Sequence, residues 1–176
     1  MPHKCGPLLE PTAADAFIAG YKRVLLGVAG GTRETGSDLL ATLVRARCRM
    51  VENPAALGQA FDGETTPPVD PAVFRAISTL RIDDYVYLKD TKDYSIFTQA
   101  SGNSAFGVVG LAERIRDIVG ASGVMIETAL VCYCGRFVCD GLVSRLVHLG
   151  PAYRRSYAEV YRDLRTQGRF QVECEA

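Results

Sequence analysis

Histidine is nearly missing from this chain. Of its 176 residues, only His3 and His148 carry an imidazole. Histidine-rich metal sites and most Ser-His or Cys-His catalytic pairs are therefore excluded at the outset. Net charge is missing too, with 20 basic residues against 20 acidic ones. No global field then draws the chain to nucleic acid or to an anionic membrane. No apolar run approaches the roughly 20 residues that a membrane helix needs. The N-terminal MPHKCGPLLEP holds no long apolar stretch, so a secretory signal is not expected. Internal repeats and low-complexity segments are absent as well.

What is present is a hydrophobic fraction of 48%, enough for a real core in one domain or in one domain with an appended subdomain. Residues 1–83 read as helical. Phe17, Ile18, Tyr21, Val24 and Leu25 share a helical face over Thr12–Leu26, with Thr12 or Asp15 as the start signal. Ser37 is a good cap for a second helix, which must end before Asn53-Pro54. Ala55–Phe61 adds a short helical turn. Asp62–Pro71 is a loop rich in proline, and Pro71 opens a third helix reaching Leu80.

From Asp84 the period changes, and residues 84–176 read as an antiparallel sheet or barrel. DYVYLKD, DYSIFTQ and SAFGVVGL are short strand-like runs. Ala112–Val119 is a helical insertion. Val124–Tyr133 and the segment after Gly135 form a tight hairpin with Cys134-Gly135 as its turn. That register sets Tyr133 opposite Arg136, Leu130 opposite Cys139 and Asp140 opposite Ala129. Ser144–Leu149 prolongs the sheet, Gly150-Pro151 breaks it, and Ala152–Thr166 is a terminal helix. The expected class is α+β. A helical N-terminal part packs on a small antiparallel sheet of about five strands, open to partial closure as a barrel, with a C-terminal helix. The two regions form one compact unit.

The candidate sites are few. Gly31–Ser37 has the glycine spacing of a phosphate loop but lacks the lysine that contacts the β- and γ-phosphates, so a plain interhelical turn is expected. Six cysteines occur, at 5, 48, 132, 134, 139 and 174. Without an export signal, reduced thiols are expected. Cys132, Cys134 and Cys139 lie on one hairpin, but zinc needs a fourth ligand, for which only His148 or Cys174 is on hand. Buried cysteines in a core and turn are the simpler expectation. Glu127 and Asp140 are the acids best placed beside the sheet. As a pair they would serve a small metal-dependent hydrolase, although Asp140-Gly141 also reads as a turn. Ser144 near His148 lacks a glycine elbow and is not a nucleophile pair.

The terminal helix offers the main candidate surface. Tyr153, Tyr157 and Tyr161 recur every four residues, flanked by Arg154, Arg155, Arg162 and Arg165, with Arg136 and Arg145 nearby in sequence. Such a set can stack on bases and pair phosphates, or anchor a protein. The alternative is that the tyrosines pack on the sheet while Glu159 pairs with the neighbouring arginines.

YVYLKDTKDYSIF, SAFGVVGL, the hairpin ending in GRFVCDGLV and the LGPAYRRSYAEVY helix together resemble a family of uncharacterised bacterial proteins. FIAGYKRVLLGV and MVENPAALGQAF fit it more loosely. The resemblance implies this architecture and a bacterial, cytoplasmic setting, and nothing chemical. It breaks at Cys132, Cys134 and Cys139, where the family pattern has proline, a basic residue and tyrosine. The functional expectation is a non-enzymatic cytoplasmic binding or accessory module. Its surface would be Arg136, Arg145, Arg154, Arg155, Tyr157, Arg162 and Arg165. No cofactor is expected, and the partner would be a protein or a single-stranded nucleic acid.

Overall fold

The computed structural model describes residues 7–30, 37–55 and 69–175. The glycine-rich stretch 31–36 and most of the expected 55–61 helical turn and 62–71 loop lie outside these residues. Three helices come first: α1 (Pro11–Val28), α2 (Ser37–Glu52) and α3 (Pro71–Ser78). The first is capped by Glu10, whose carboxylate accepts from the Thr12 and Ala13 amides, rather than by Thr12 or Asp15. Pro11 explains the shift. It has no N–H to satisfy and its φ suits the first helical position, so the helix starts earlier. Asp70 and Pro71 repeat the device on α3, where Asp70 accepts from the Ala72 amide at 2.7 Å.

The β half then follows in order. It runs β1 (Arg81–Asp90), β2 (Ser95–Gln99), β3 (Ala105–Val109), α4 (Ile115–Val119), β4 (Val124–Tyr133), β5 (Arg136–Cys139), β6 (Arg145–His148), α5 (Pro151–Thr166) and β7 (Phe170–Gln171). β1 starts at Arg81, so the first strand takes in residues that the sequence pattern assigns to the helical region. The strands β1-β2-β3-β5-β4 pair in that order, and β4 pairs back to β1, closing a barrel. Every pairing in the ring is antiparallel except β3 with β5. The closure rests on the length of β4. One edge takes β1 along residues 124–130, while the other takes β6 at 124–127 and β5 at 130–133.

Side-chain alternation makes two cores from one set of strands. Tyr85, Tyr87, Phe97, Val108, Val124, Ile126, Leu130 and Cys139 cluster inside the barrel, joined by Ile115 and Val119 of α4. The opposite faces of β3, β4 and β5 present Val109, Ala129, Val131, Tyr133 and Val138 to α1, α2 and α3. There Phe17 packs on Tyr21 and Tyr133, with ring centroids 5.3 and 5.2 Å apart. The molecule is α+β, with the N-terminal helices packed on the barrel wall and α5 crossing β1, β2 and β3 on another side. Among the described residues, no helix is long and apolar enough to cross a membrane.

Candidate functional site

The two candidate acids sit in one polar network but do not form an open pair. Asp140 follows β5 and is buried together with Arg47 of α2. Arg47 Nη1 donates to both Asp140 oxygens at 3.3 and 3.1 Å and to the Leu142 carbonyl at 2.7 Å. The Tyr21 hydroxyl, the Thr128 hydroxyl and the Leu142 amide also donate to the carboxylate. Burial pushes the Asp140 carboxyl up, and Arg47 and these donors pull against it. Burial and the Asp140 charge raise the Tyr21 hydroxyl well above its usual range. Arg47 Nη2 continues to Ser144, which donates in turn to Glu127. Glu127 lies 3.6 Å from Arg145, whose guanidinium grips Asp84 at 2.5 and 2.6 Å. Each acid thus faces an arginine. Among the described residues, no cluster of three or more His, Cys, Asp or Glu side chains is set to hold a metal ion. This arrangement can tie α2 to the barrel; it offers no free carboxylate to a substrate.

The hairpin has the expected register, including Tyr133 opposite Arg136 and Leu130 opposite Cys139. Both turn residues have positive φ, 53° at Cys134 and 72° at Gly135. This is the backbone that a two-residue hairpin turn demands. It also holds the Cys134 thiol out in solvent.

The three hairpin cysteines take three different environments. Cys139 points into the barrel, within 3.4 Å of the Thr128 hydroxyl. Burial, then the Asp140 charge, raises its thiol to about 11. Cys132 is bonded to Cys174 in a disulfide, which corrects the expectation of reduced thiols and removes Cys132 from any zinc set. The reason is topological. After α5, residues Phe170 and Gln171 pair with β3 as β7, and the chain then bends so that Glu173 bridges to Arg136. The Cys174 amide donates to the Gly135 carbonyl at 3.2 Å. The tail thus lies where β3 and β5 diverge and brings residue 174 to the end of β4.

Between the tail and the hairpin the barrel mouth opens into a cavity of about 1090 Å³. Its wall carries Tyr85, Phe106 and Phe137. Phe106 packs on Phe137 at 4.9 Å and on Tyr85 edge-on at 6.2 Å. Arg81, Arg136, Cys134 and the disulfide also line it. Arg136 Nη2 donates to the Asp93 carbonyl at 3.0 Å, while its buried Nε has no partner.

No family model, curated protein or solved structure matches the chain.

The remaining candidates are on α5, and they divide. Tyr157 is half-buried, with its hydroxyl donating to the Ala100 carbonyl at 3.0 Å. Tyr161 stands edge-on to Phe170 at 5.3 Å. Tyr153 alone of the stripe is open, 66% exposed. Two of the three tyrosines therefore serve packing. Arg154 donates to the Leu149 carbonyl, Arg162 sits 3.7 Å from Glu159, and Arg155 and Arg165 are exposed. Arg136 and Arg145 belong to other surfaces, at the cavity and beside Asp84.

Sequence reasoning missed Arg47, Tyr21 and the tail. Arg47 had a signal, because it falls in register with Leu43, Ala46 and Met50 on the apolar face of α2, where a lone charge implies a buried partner. The tail had none beyond Cys174 itself.

Proposed function

We propose that this chain is a non-enzymatic binding module whose site is the barrel mouth between the hairpin and the C-terminal tail. The observation that carries the reading is the 1090 Å³ cavity, whose lining brings Tyr85, Phe106 and Phe137 together with Arg81 and Arg136. Ligand sites are concave, with apolar walls and polar groups that fix orientation; here polar and apolar surface share the lining about equally. The hydrolase reading through Glu127 and Asp140 has less support, since each carboxylate is already answered by an arginine.

The strand order and the helix between β3 and β4 have the topology of an OB-type barrel. Such barrels often take oligonucleotides on the β2–β3 face, but fold alone does not carry function. Here that face is occupied. Val86, Ile96 and Thr98 alternate to the outside and are buried, and α5 crosses their strands. Tyr94 covers Gly107, leaving no room for a Cβ without displacing the ring. The second reading is a protein or single-stranded nucleic acid partner on the outward face of α5, supported by the exposure of Arg155, Arg162 and Arg165. A cytoplasmic, bacterial setting is compatible with either reading. The disulfide fits an oxidising compartment better, because cytosolic thiols are kept reduced.

One experiment separates the two surfaces. Melting temperature is measured with a small-molecule library and with a single-stranded oligonucleotide, before and after alkylation of Cys134 by a bulky maleimide. Shifts from small molecules that vanish on alkylation are expected. The reading fails if no shift is sensitive to the block while the oligonucleotide binds and is lost when Arg154, Arg155, Arg162 and Arg165 are all changed to alanine.

A further inference from the structure

We infer that Cys134 is a thiol–disulfide exchange site, the entry through which a low-molecular-weight disulfide or thiol closes and opens the Cys132–Cys174 bond. The inference goes beyond the binding reading and needs no ligand in the mouth. Three sulfurs meet at the tip of the hairpin. Cys132, near the end of β4, is bonded to Cys174 of the tail. Cys134 follows two residues later in the turn, and its thiol is free. The Arg136–Glu173 bridge is antiparallel, so one step along it sets Gly135 beside Cys174, and the Cys174 amide donates to the Gly135 carbonyl at 3.2 Å. Cys174 is thus one residue out of register with Cys134 while bonded to Cys132. All three cysteines line the same opening.

Access to solvent assigns the roles. Cys132 is 5% exposed and Cys174 is half-buried, whereas Cys134 is exposed. Exchange proceeds by attack of a thiolate on a disulfide sulfur, and its rate depends on access, so an external reagent meets Cys134 first. The Tyr133 hydroxyl is within hydrogen-bond reach of the Cys134 sulfur. Leaving it takes a rotamer change, which is fast at an exposed position. From the reduced chain, the Cys134 thiolate attacks a small disulfide RSSR, expels RS⁻ and becomes a mixed disulfide. The Cys174 thiolate then attacks the Cys134 sulfur, expels the second RS⁻ and forms Cys134–Cys174. Finally the Cys132 thiolate attacks the Cys174 sulfur, forms Cys132–Cys174 and returns Cys134 as a thiolate. The protons lost by Cys132 and Cys174 pass to the two RS⁻. RSSR is reduced to two RSH, and the Cys132/Cys174 pair is oxidised. An excess of RSH drives the same steps backwards.

The test follows closure of the bond in the full-length chain. Reduced protein is mixed with glutathione disulfide, quenched with acid at intervals, alkylated and digested with chymotrypsin. Cleavage after Tyr133 separates Cys132 from Cys134, so mass spectrometry reads which sulfur is bonded to which. Wild type should pass through a glutathione adduct on Cys134 before Cys132–Cys174 appears. Cys134→Ser should close the bond roughly tenfold or more slowly, because access governs exchange. Cys134→Asn, a residue that tolerates the left-handed turn conformation, should close it as slowly. Cys174→Ser removes the second attacking thiol, and the glutathione adduct should accumulate on Cys134. Cys132→Ser removes the last, and Cys134–Cys174 should be trapped. Closure at the wild-type rate in both Cys134 variants overturns the entry role. A Cys132→Ser chain that keeps its near-ultraviolet circular dichroism and forms no Cys134–Cys174 bond overturns the transfer between the two sulfurs.

Discussion

At the scale of single residues, the most consequential side chain is Arg47. It is wholly buried, and its charge is balanced by Asp140 across the seam between α2 and the barrel. Removing one member of a buried pair costs more than the pair contributes, because the other charge stays behind without a partner. Arg47→Met should therefore destabilise the protein by ~3–5 kcal/mol in urea unfolding. Adding Asp140→Asn should recover part of that loss. A single variant as stable as the wild type would mean that water reaches the seam.

Buried acidic groups of the barrel interior, with Tyr21 at the seam, set the alkaline limit. Native Cys139 titrates near 11, and burial also raises Tyr21, Tyr85 and Tyr87. The unfolded chain releases these protons earlier, from about pH 8.5 for the thiol and about pH 10 for the phenols. Native protein thus binds more protons than unfolded protein in that range, so stability must fall as pH rises. It is full below about pH 8.5 and declines through about pH 11. Urea midpoints along this range measure the decline, and Cys139→Ala should flatten its lower part. A midpoint that does not move between about pH 8 and pH 10.5 would contradict these shifts.

At the scale of elements, α5 shows a pattern that spacing defines but whose purpose, packing or binding, spacing leaves open. The four-residue spacing of Tyr153, Tyr157 and Tyr161 defines a stripe, and the stripe exists. Spacing alone does not say whether a neighbour covers it, and here β7 and the loop at Ala100 do. Tyr157→Phe should cost about 0.5–1.5 kcal/mol, the net worth of one hydrogen bond. Arg155→Ala, on the exposed side, should change stability by less than about 0.5 kcal/mol. A costless Tyr157→Phe would return the tyrosines to the list of binding groups. The hairpin was legible to the residue because its turn chemistry is local: Gly135, the small Cys134 and alternating apolar residues determine it together. The helices were legible from their periodicity and their prolines. Barrel closure stood only as one option beside an open sheet, since it depends on β4 pairing along both edges, and β1 and β4 lie some forty residues apart. Nor was the mouth, whose walls come from strands scattered over the whole β half and from the last few residues of the chain.

At the scale of the whole molecule, the disulfide joins the end of the central strand to the end of the chain. It closes a loop of 42 residues that contains β5, β6, α5 and β7. Chain-entropy reasoning gives such a link about 4 kcal/mol. Cys174→Ser, or wild type in reductant, should lose stability of that order, and amide exchange should quicken first at Cys174, whose partner is the Gly135 carbonyl. An unaltered melting temperature in reductant would mean that the tail holds by its strand contacts alone. The same bond changes how the molecule carries load. A pull on its two ends does not reach α5 or the tail strand in sequence; it passes through sulfur directly to β4, the strand that holds the barrel shut. The 42 residues behind the bond cannot extend. At ~3.3–3.6 Å per residue, the oxidised chain should stretch roughly 140–150 Å less than the reduced one. The barrel then resists as one mechanical unit when oxidised, and peels from its C-terminus when reduced.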